Sequence, residues 1–221
     1  MDTIRGKFLK QHLLSDEFLD LIEKNKRPMD ELMSYYQCAI MEVETKFKVL
    51  NQEYSLEYDR NPIEGIKTRV KSYDSILRKI RRKNIPMTLK GIEENIRDIA
   101  GVRVICSFPD DIYELAESFL KQDDITLIEK KDYIKNPKKN GYKSLHMIVE
   151  VPIYSSKGPL KEKVEIQLRT VAMDYWSVLE YQIFYKKTEN EEVAKELKTY
   201  ADEISELDAK MLKLRDKIEK M

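Results

Sequence analysis

The segment Val164-Glu165-Ile166-Gln167-Leu168-Arg169-Thr170 alternates apolar and polar residues with a period of two, the pattern of a half-buried strand. Val164, Ile166 and Leu168 belong against a core. Glu165, Gln167 and Arg169 then stand side by side on the opposite face. Earlier in the chain, Asp98 precedes a second β-branched run that carries Arg103. Two carboxylates brought together by two strands suit a divalent cation, and the arginines around them suit polyphosphate. Mg²⁺ takes one or two protein carboxylates and fills its shell from water and phosphate oxygens, which fits two acids without a Cys/His cluster. A purely structural reading pairs Asp98 with Arg103 and Glu165 with Arg169 as ion pairs.

A second group is Gly141-Tyr142-Lys143-Ser144-Leu145-His146, which follows a loop bearing Lys135, Lys138 and Lys139. Glycine lets a loop approach a ligand closely, an aromatic at a strand entrance can stack on a base, and lysines can meet phosphates. The plainer reading makes Tyr142 a rim aromatic and His146 a hydrogen-bonded structural residue. Thr170 reads as a helix N-cap, and Trp176, the sole tryptophan, as a core residue packed under the sheet.

The elements that must hold these groups read as α+β, a mixed sheet flanked by helices with long helices at both ends. Residues 1–28 read as a polar arm or short helix outside the core. Apolar spacing from Met29 to about Tyr54 predicts a long amphipathic helix, and Asn61-Pro62 a helix start, with a helix running to about Lys83. On that helix Ile66, Val70, Tyr73, Leu77 and Ile80 form the apolar stripe. Lys67, Arg69, Lys71, Arg78, Lys79, Arg81, Arg82 and Lys83 make the rest strongly basic. Strands are expected at 102–108, 125–133, 145–151 and 163–169, a crossover helix at 110–121, a flexible loop at 136–141 and a turn at 152–161. Val193, Leu197, Tyr200, Ile204, Leu207, Met211, Leu214 and Ile218 alternate in steps of four and three, a seam for helix pairing or for packing on the chain's own domain. The expected division is therefore 1–28, 29–186 and 187–221.

Composition narrows the setting. Forty basic and 40 acidic residues give a formal net charge of zero, so an anion site must be a local patch, and no stable nucleic-acid partner is expected. Cys38 and Cys106 are far apart and make no metal-ligand spacing. No signal peptide is apparent, and no stretch approaches the roughly 20 apolar residues of a membrane span. A cytoplasmic location is expected.

Four strings, Arg69-Val-Lys71-Ser-Tyr-Asp-Ser75, Asp98-Ile-Ala-Gly-Val-Arg103, Gly141-Tyr-Lys-Ser-Leu-His146 and Glu165-Ile-Gln-Leu-Arg169-Thr, resemble in order the synthetase domain of the RelA/SpoT family. With Asp132-Tyr-Ile-Lys-Asn-Pro-Lys138 and Ala172-Met-Asp-Tyr-Trp176, the chain is similar to the small alarmone synthetases of the RelP type. The resemblance implies a nucleotidyltransferase-like fold. It also implies transfer of the β,γ-pyrophosphate of ATP to the ribose 3′-hydroxyl of GDP or GTP, making the alarmones ppGpp and pppGpp. By that resemblance Arg69 and Arg103 sandwich the adenine, while Lys71, Ser75 and Lys79 hold the ATP phosphates. Asp98 and Glu165 ligand Mg²⁺, with Glu165 also the base. Tyr142 stacks on guanine, supported by Lys143, His146, Gln167, Arg169 and Lys135. A homotetramer is implied as well.

Two departures stand out. Lys143 replaces a common arginine, losing bidentate geometry, and Tyr181 follows Glu180 where relatives usually have histidine. Neither His12 nor His146 is followed by aspartate, so the His-Asp motif of the family's hydrolase domain is missing and synthesis without degradation is expected. Two other functions remain open: pyrophosphate transfer to the 3′ end of tRNA, and a non-enzymatic nucleotide- or RNA-binding regulator.

Overall fold

The computed structural model describes residues 16–184 and 191–221. Among them, helices α1 (Asp16–Lys24) and α2 (Lys26–Tyr58) lead into strand β1 (Ile63–Val70), then α3 (Tyr73–Lys83) and α4 (Leu89–Asn95). Next come β2 (Ala100–Cys106), α5 (Pro109–Leu120), β3 (Thr126–Asp132), β4 (Leu145–Ser155) and β5 (Gly158–Thr170). Two helices close the chain, α6 (Val171–Phe184) and α7 (Glu191–Ile218). The five strands form one mixed sheet in the order β1-β2-β5-β4-β3. Only the central pair, β2 with β5, is parallel, with Ala100 opposite Val164 and Cys106 opposite Thr170.

The sheet buries one face on α2, which touches β1, β2, β4 and β5. Tyr36, Ala39, Ile40, Val43 and Phe47 of that helix meet Val102, Val104, Met147, Val149, Val164, Ile166 and Leu168 in a single core. Phe47 stacks on Phe119 of α5 at 4.6 Å between ring centres. The row Val164, Ile166, Leu168 is therefore buried as its alternation requires, and the polar row faces the other way.

Four expectations need correction. Residues 63–70 form a strand, and the helix begins only at Tyr73, after the cap residue Ser72. A spacing of four, as from Ile66 to Val70, fits a strand's period of two as well as a helix's 3.6. The β-branched Thr68 and Val70, with pairing to β2, decide for the strand. Residues 152–161 are not a turn. β4 and β5 continue through them to a two-residue loop, with Ser155 opposite Gly158. Pro152 lies beyond the last β3 partner, Glu150, where its missing N–H leaves no bond unfilled on that edge. The polar arm holds α1, whose Phe18 and Ile22 join the main core, while residues 1–15 lie outside the described ones. Trp176 does not pack under the sheet. It sits between α6 and α7 with Leu197 and Ala201, and its indole donates to the Leu197 carbonyl at 2.8 Å.

α7 thus divides its own seam. Leu197 is buried on α6, whereas Leu207, Met211, Leu214 and Ile218 remain 49–62 % exposed. Its far end is tied down by Arg215, which pairs with Asp110 and stacks on Phe108 at 4.8 Å.

Candidate active site

The solvent face of the sheet carries two rungs of side chains fixed by strand register. One runs Lys67, Arg103, Gln167, His146, Lys131 across all five strands. The next runs Arg69, Gly101, Glu165, Ile148, Glu129. Gly101 contributes no side chain, so a hollow opens between Arg69 and Glu165, lined also by Lys67, Arg103 and Gln167. A larger cavity of about 370 Å³ adjoins it, holding Arg69, Arg103, Tyr142 and Arg169 against Ser177 and Tyr181 of α6. On the other side of Glu165 lies a cavity of about 360 Å³ lined by Lys79, Arg82, Lys83, Lys131, Tyr133, Lys138 and His146. Glu165 lines both sides of this divide.

Asp98 stands at the corner where β1, α3 and β2 meet. Lys71 and Asp98 flank a backbone bond from Lys71 N–H to the Ile99 carbonyl at 2.8 Å, which fixes the corner. Lys71 Nζ lies 3.3 Å from Asp98 Oδ2 and Lys79 Nζ 2.7 Å from Oδ1. Burial pushes the Asp98 carboxyl up, but the contact with Lys79 and the charge of Lys71 outweigh it and hold it below the usual range. Ser72 accepts from Ser75 N–H and caps α3, so Ser75 sits in the first turn with its Oγ accepting from Arg78 at 3.1 Å. Lys71, Ser75, Lys79 and the N-terminal end of α3 make an anion cradle beside the carboxylate.

Around Glu165 the polar groups close a ring. Gln167 donates to Glu165 Oε2 at 2.9 Å, and Arg169 donates to Gln167 Oε1 at 3.0 Å and to the Tyr142 hydroxyl. Tyr142 Oη lies 2.7 Å from His146 Nε2. His146 Nδ1 faces Glu165 Oε1 at 3.7 Å, beyond hydrogen-bond reach. Burial raises the Glu165 carboxyl, His146 and Gln167 lower it, and the balance falls below the ordinary value. Both acids are therefore ionised at neutral pH. Burial also pushes the Tyr142 phenol up.

The loop that carries Tyr142 is seated on α7. Gly141 has φ +90°, and a Cβ there would come within 2.6 Å of Ala201 Cβ. Lys143 Nζ bonds Ser205 Oγ, and Thr170 Oγ1 bonds Asp208 while also accepting from Met173 N–H as the expected N-cap. Lys138 Nζ lies 4.6 Å over the Tyr142 ring and 4.6 Å over Tyr133.

The cleft thus gathers Arg69, Lys71, Ser75, Lys79, Asp98, Arg103, Tyr142, His146, Glu165, Gln167 and Arg169. Two expected members stand outside it. Lys143 turns to α7, and Lys135 lies over Tyr113 of α5 at 5.2 Å. The ion pairs Asp98–Arg103 and Glu165–Arg169 do not form. Asp98 takes lysines, and both arginines take Asp174. Asp174, Lys131 and Tyr133 are site residues that the spacing did not single out. The basic residues of 129–138 offered a signal, but an acid in the first turn of a helix is an ordinary dipole partner and gave none.

Asp98 Oδ1 is buried and, among the described residues, lacks an aligned hydrogen-bond donor, because Lys79 approaches it off-axis. No group of three or more His, Cys, Asp or Glu residues able to hold a metal occurs among the described residues. A buried carboxylate oxygen whose one close partner is the mobile end of a lysine, a second ionised acid and basic walls fit a hard cation that takes most of its ligands from phosphate. No described helix is long and apolar enough to cross a membrane.

Residues 68–190 match the family described as "Region found in RelA / SpoT proteins". The GTP pyrophosphokinase YwaC of Bacillus subtilis (strain 168) is 43 % identical over 186 residues, 83 % of this chain and 89 % of the relative. The GTP pyrophosphokinase YjbM of the same strain is 38 % identical over 83 % of this chain and 87 % of its own length. The crystal structure of small alarmone synthetase 1 from Bacillus subtilis bound to its product pppGpp superposes with a TM-score of 0.79 at 36 % identity. That match covers 87 % of this chain and 99 % of the other.

Proposed function

The chain belongs to the RelA/SpoT family, and from that premise we propose that it is a small alarmone synthetase. It transfers the β,γ-pyrophosphate of ATP to the ribose 3′-hydroxyl of GDP or GTP, yielding ppGpp or pppGpp and AMP. The observation that carries this reading is the position of Glu165, an ionised carboxylate at the boundary of two basic lobes.

Arg69 and Arg103 bracket the adenine, and Lys71, Ser75, Lys79 and the α3 N-terminus receive the triphosphate. Guanine stacks on Tyr142, whose ring is held by His146 and Arg169; the flexible Lys138 above the ring swings aside toward phosphate. Gln167 and Arg169 fix the floor of the lobe. Lys143 and Lys135 hold the loop rather than the nucleotide. Asp98 and Glu165 would hold Mg²⁺, which when bound neutralises charge on the transferring phosphates. Glu165 takes the proton of the 3′-hydroxyl. The O3′–Pβ bond forms, the bond from Pβ to the α,β-bridging oxygen breaks, and AMP leaves with that oxygen. Such a transfer needs in-line positioning and charge neutralisation more than covalent help, which is what two preformed lobes supply.

The same reading extends to synthesis without hydrolysis, to a homotetramer and to the cytoplasm. The outward α7 seam supports the assembly, and the unpaired Cys38 and Cys106 suit a reducing compartment. The test is incubation with Mg²⁺, γ-labelled ATP and GDP or GTP, with Glu165→Gln as control. Label should appear in a guanine tetra- or pentaphosphate only with the native enzyme. Label in tRNA and in no nucleotide would overturn the acceptor.

A further inference from the structure

Arg103 and Arg169 face the same cavity, and each leaves a buried Nε without a hydrogen-bond partner among the described residues. Arg169 is 4 % exposed. Burial and then the neighbouring Arg169 charge push the Arg103 pKa down, so the two cations repel in a partly dried setting.

Among the described residues, Asp174 is the carboxylate that bridges them. Its Oδ1 lies 3.2 Å from one Arg103 nitrogen and 3.3 Å from one Arg169 nitrogen, and its Oδ2 accepts from Lys67 Nζ at 2.9 Å. Asp174 is 5 % exposed, and although burial raises its carboxyl, the three cations hold it below the usual range. With both oxygens committed to protein cations, it supports the lobes from beneath. Its place in the first turn of α6 fixes it to a rigid element, and the Thr170 cap anchors that turn to β5.

We propose that Asp174 is a positioning residue that holds Arg103, on the adenine side, and Arg169, beside the guanine platform Tyr142, in one frame within their shared cavity, so that a single buried carboxylate supports both nucleotide sites. This rests on the synthetase reading of the cleft. A residue that served only the fold would change the fraction of active enzyme and leave nucleotide affinity alone. A residue in one lobe would affect one nucleotide.

The experiment is calorimetric titration of the full chain, native and Asp174→Asn, with an α,β-methylene ATP analogue and separately with GDP, both with Mg²⁺. Thermal melting and circular dichroism check the fold, and KM and kcat are measured alongside. Both dissociation constants should rise roughly tenfold or more, as when one partner of a buried charge cluster is lost. Asp174→Glu, which keeps the charge, should recover part of each. A folded Asp174→Asn variant with either affinity unchanged overturns the proposal. If Asp174→Asn does not fold, Arg169→Lys carries the test across the lobes. Affinity for the ATP analogue should fall roughly threefold or more through the shared carboxylate, and an unchanged value overturns the proposal. Native protein that binds neither nucleotide would instead overturn the synthetase reading.

Discussion

Asp98 and Glu165 reach the same ionised state by different means. Asp98 is pinned by two ammonium groups, whereas Glu165 accepts from the neutral Gln167 amide and faces the His146 ring. Glu165→Gln and Asp98→Asn should therefore abolish labelled-pyrophosphate transfer, by at least about a thousandfold, with melting temperatures within a few degrees of native. A folded variant that keeps full activity would remove that acid from the mechanism. The alternation from Val164 to Arg169 made the acid, amide and guanidinium row readable from sequence, because strand geometry leaves adjacent side chains little choice of face. Asp174 was unreadable for the opposite reason. Its role depends on α6 turning back beneath Arg103, a tertiary placement that no local spacing encodes.

Among the elements, β1 shows how a motif can be found while its scaffold is mistaken. Arg69, Lys71 and Lys79 form one basic group in the sequence, yet the first two precede the helix. The turn at Ser72 is what brings Lys71 back to Asp98. The hydrophobic pattern of α2 and of the 163–169 half of β5 left no such ambiguity, since each held one period over its length. β5 also carries a group with a pH consequence. Glu162 is half-buried, and burial followed by the charge of Glu93 pushes its carboxyl from 4.5 up to about 7. The native state thus prefers the protonated acid. The stability this confers is complete below the unfolded value and lost as pH rises through about 7. Glu162→Gln should raise the melting temperature at pH 8 by a few degrees, on the order of 1–2 kcal/mol, and the gain should shrink at pH 5. Equal gains at both pH values would rule out titration as the cause.

For the whole molecule, α7 is used on two sides. Its inner face seats the loop of Tyr142, and its outer face leaves Met211 and Leu214 about half exposed. The heptad spacing could not tell these uses apart, because a seam of this kind serves a neighbouring helix in the same chain or in another. Met211→Glu together with Leu214→Glu should lower the mass measured by light scattering while sparing the melting temperature. An unchanged mass would remove this seam from the assembly. The sheet's central seam has a different consequence, one of timing. Its parallel pairing joins Ala100 to Val164, whereas the β4–β5 hairpin closes over two residues. Distant pairings carry the larger loop-closure entropy and form late, and Asp98 and Glu165 flank this one. Local structure can therefore be complete in a chain that has no catalytic centre. In refolding from denaturant, activity should return with the slowest phase, after most helical signal is restored; activity that returned with the first helical signal would contradict that order.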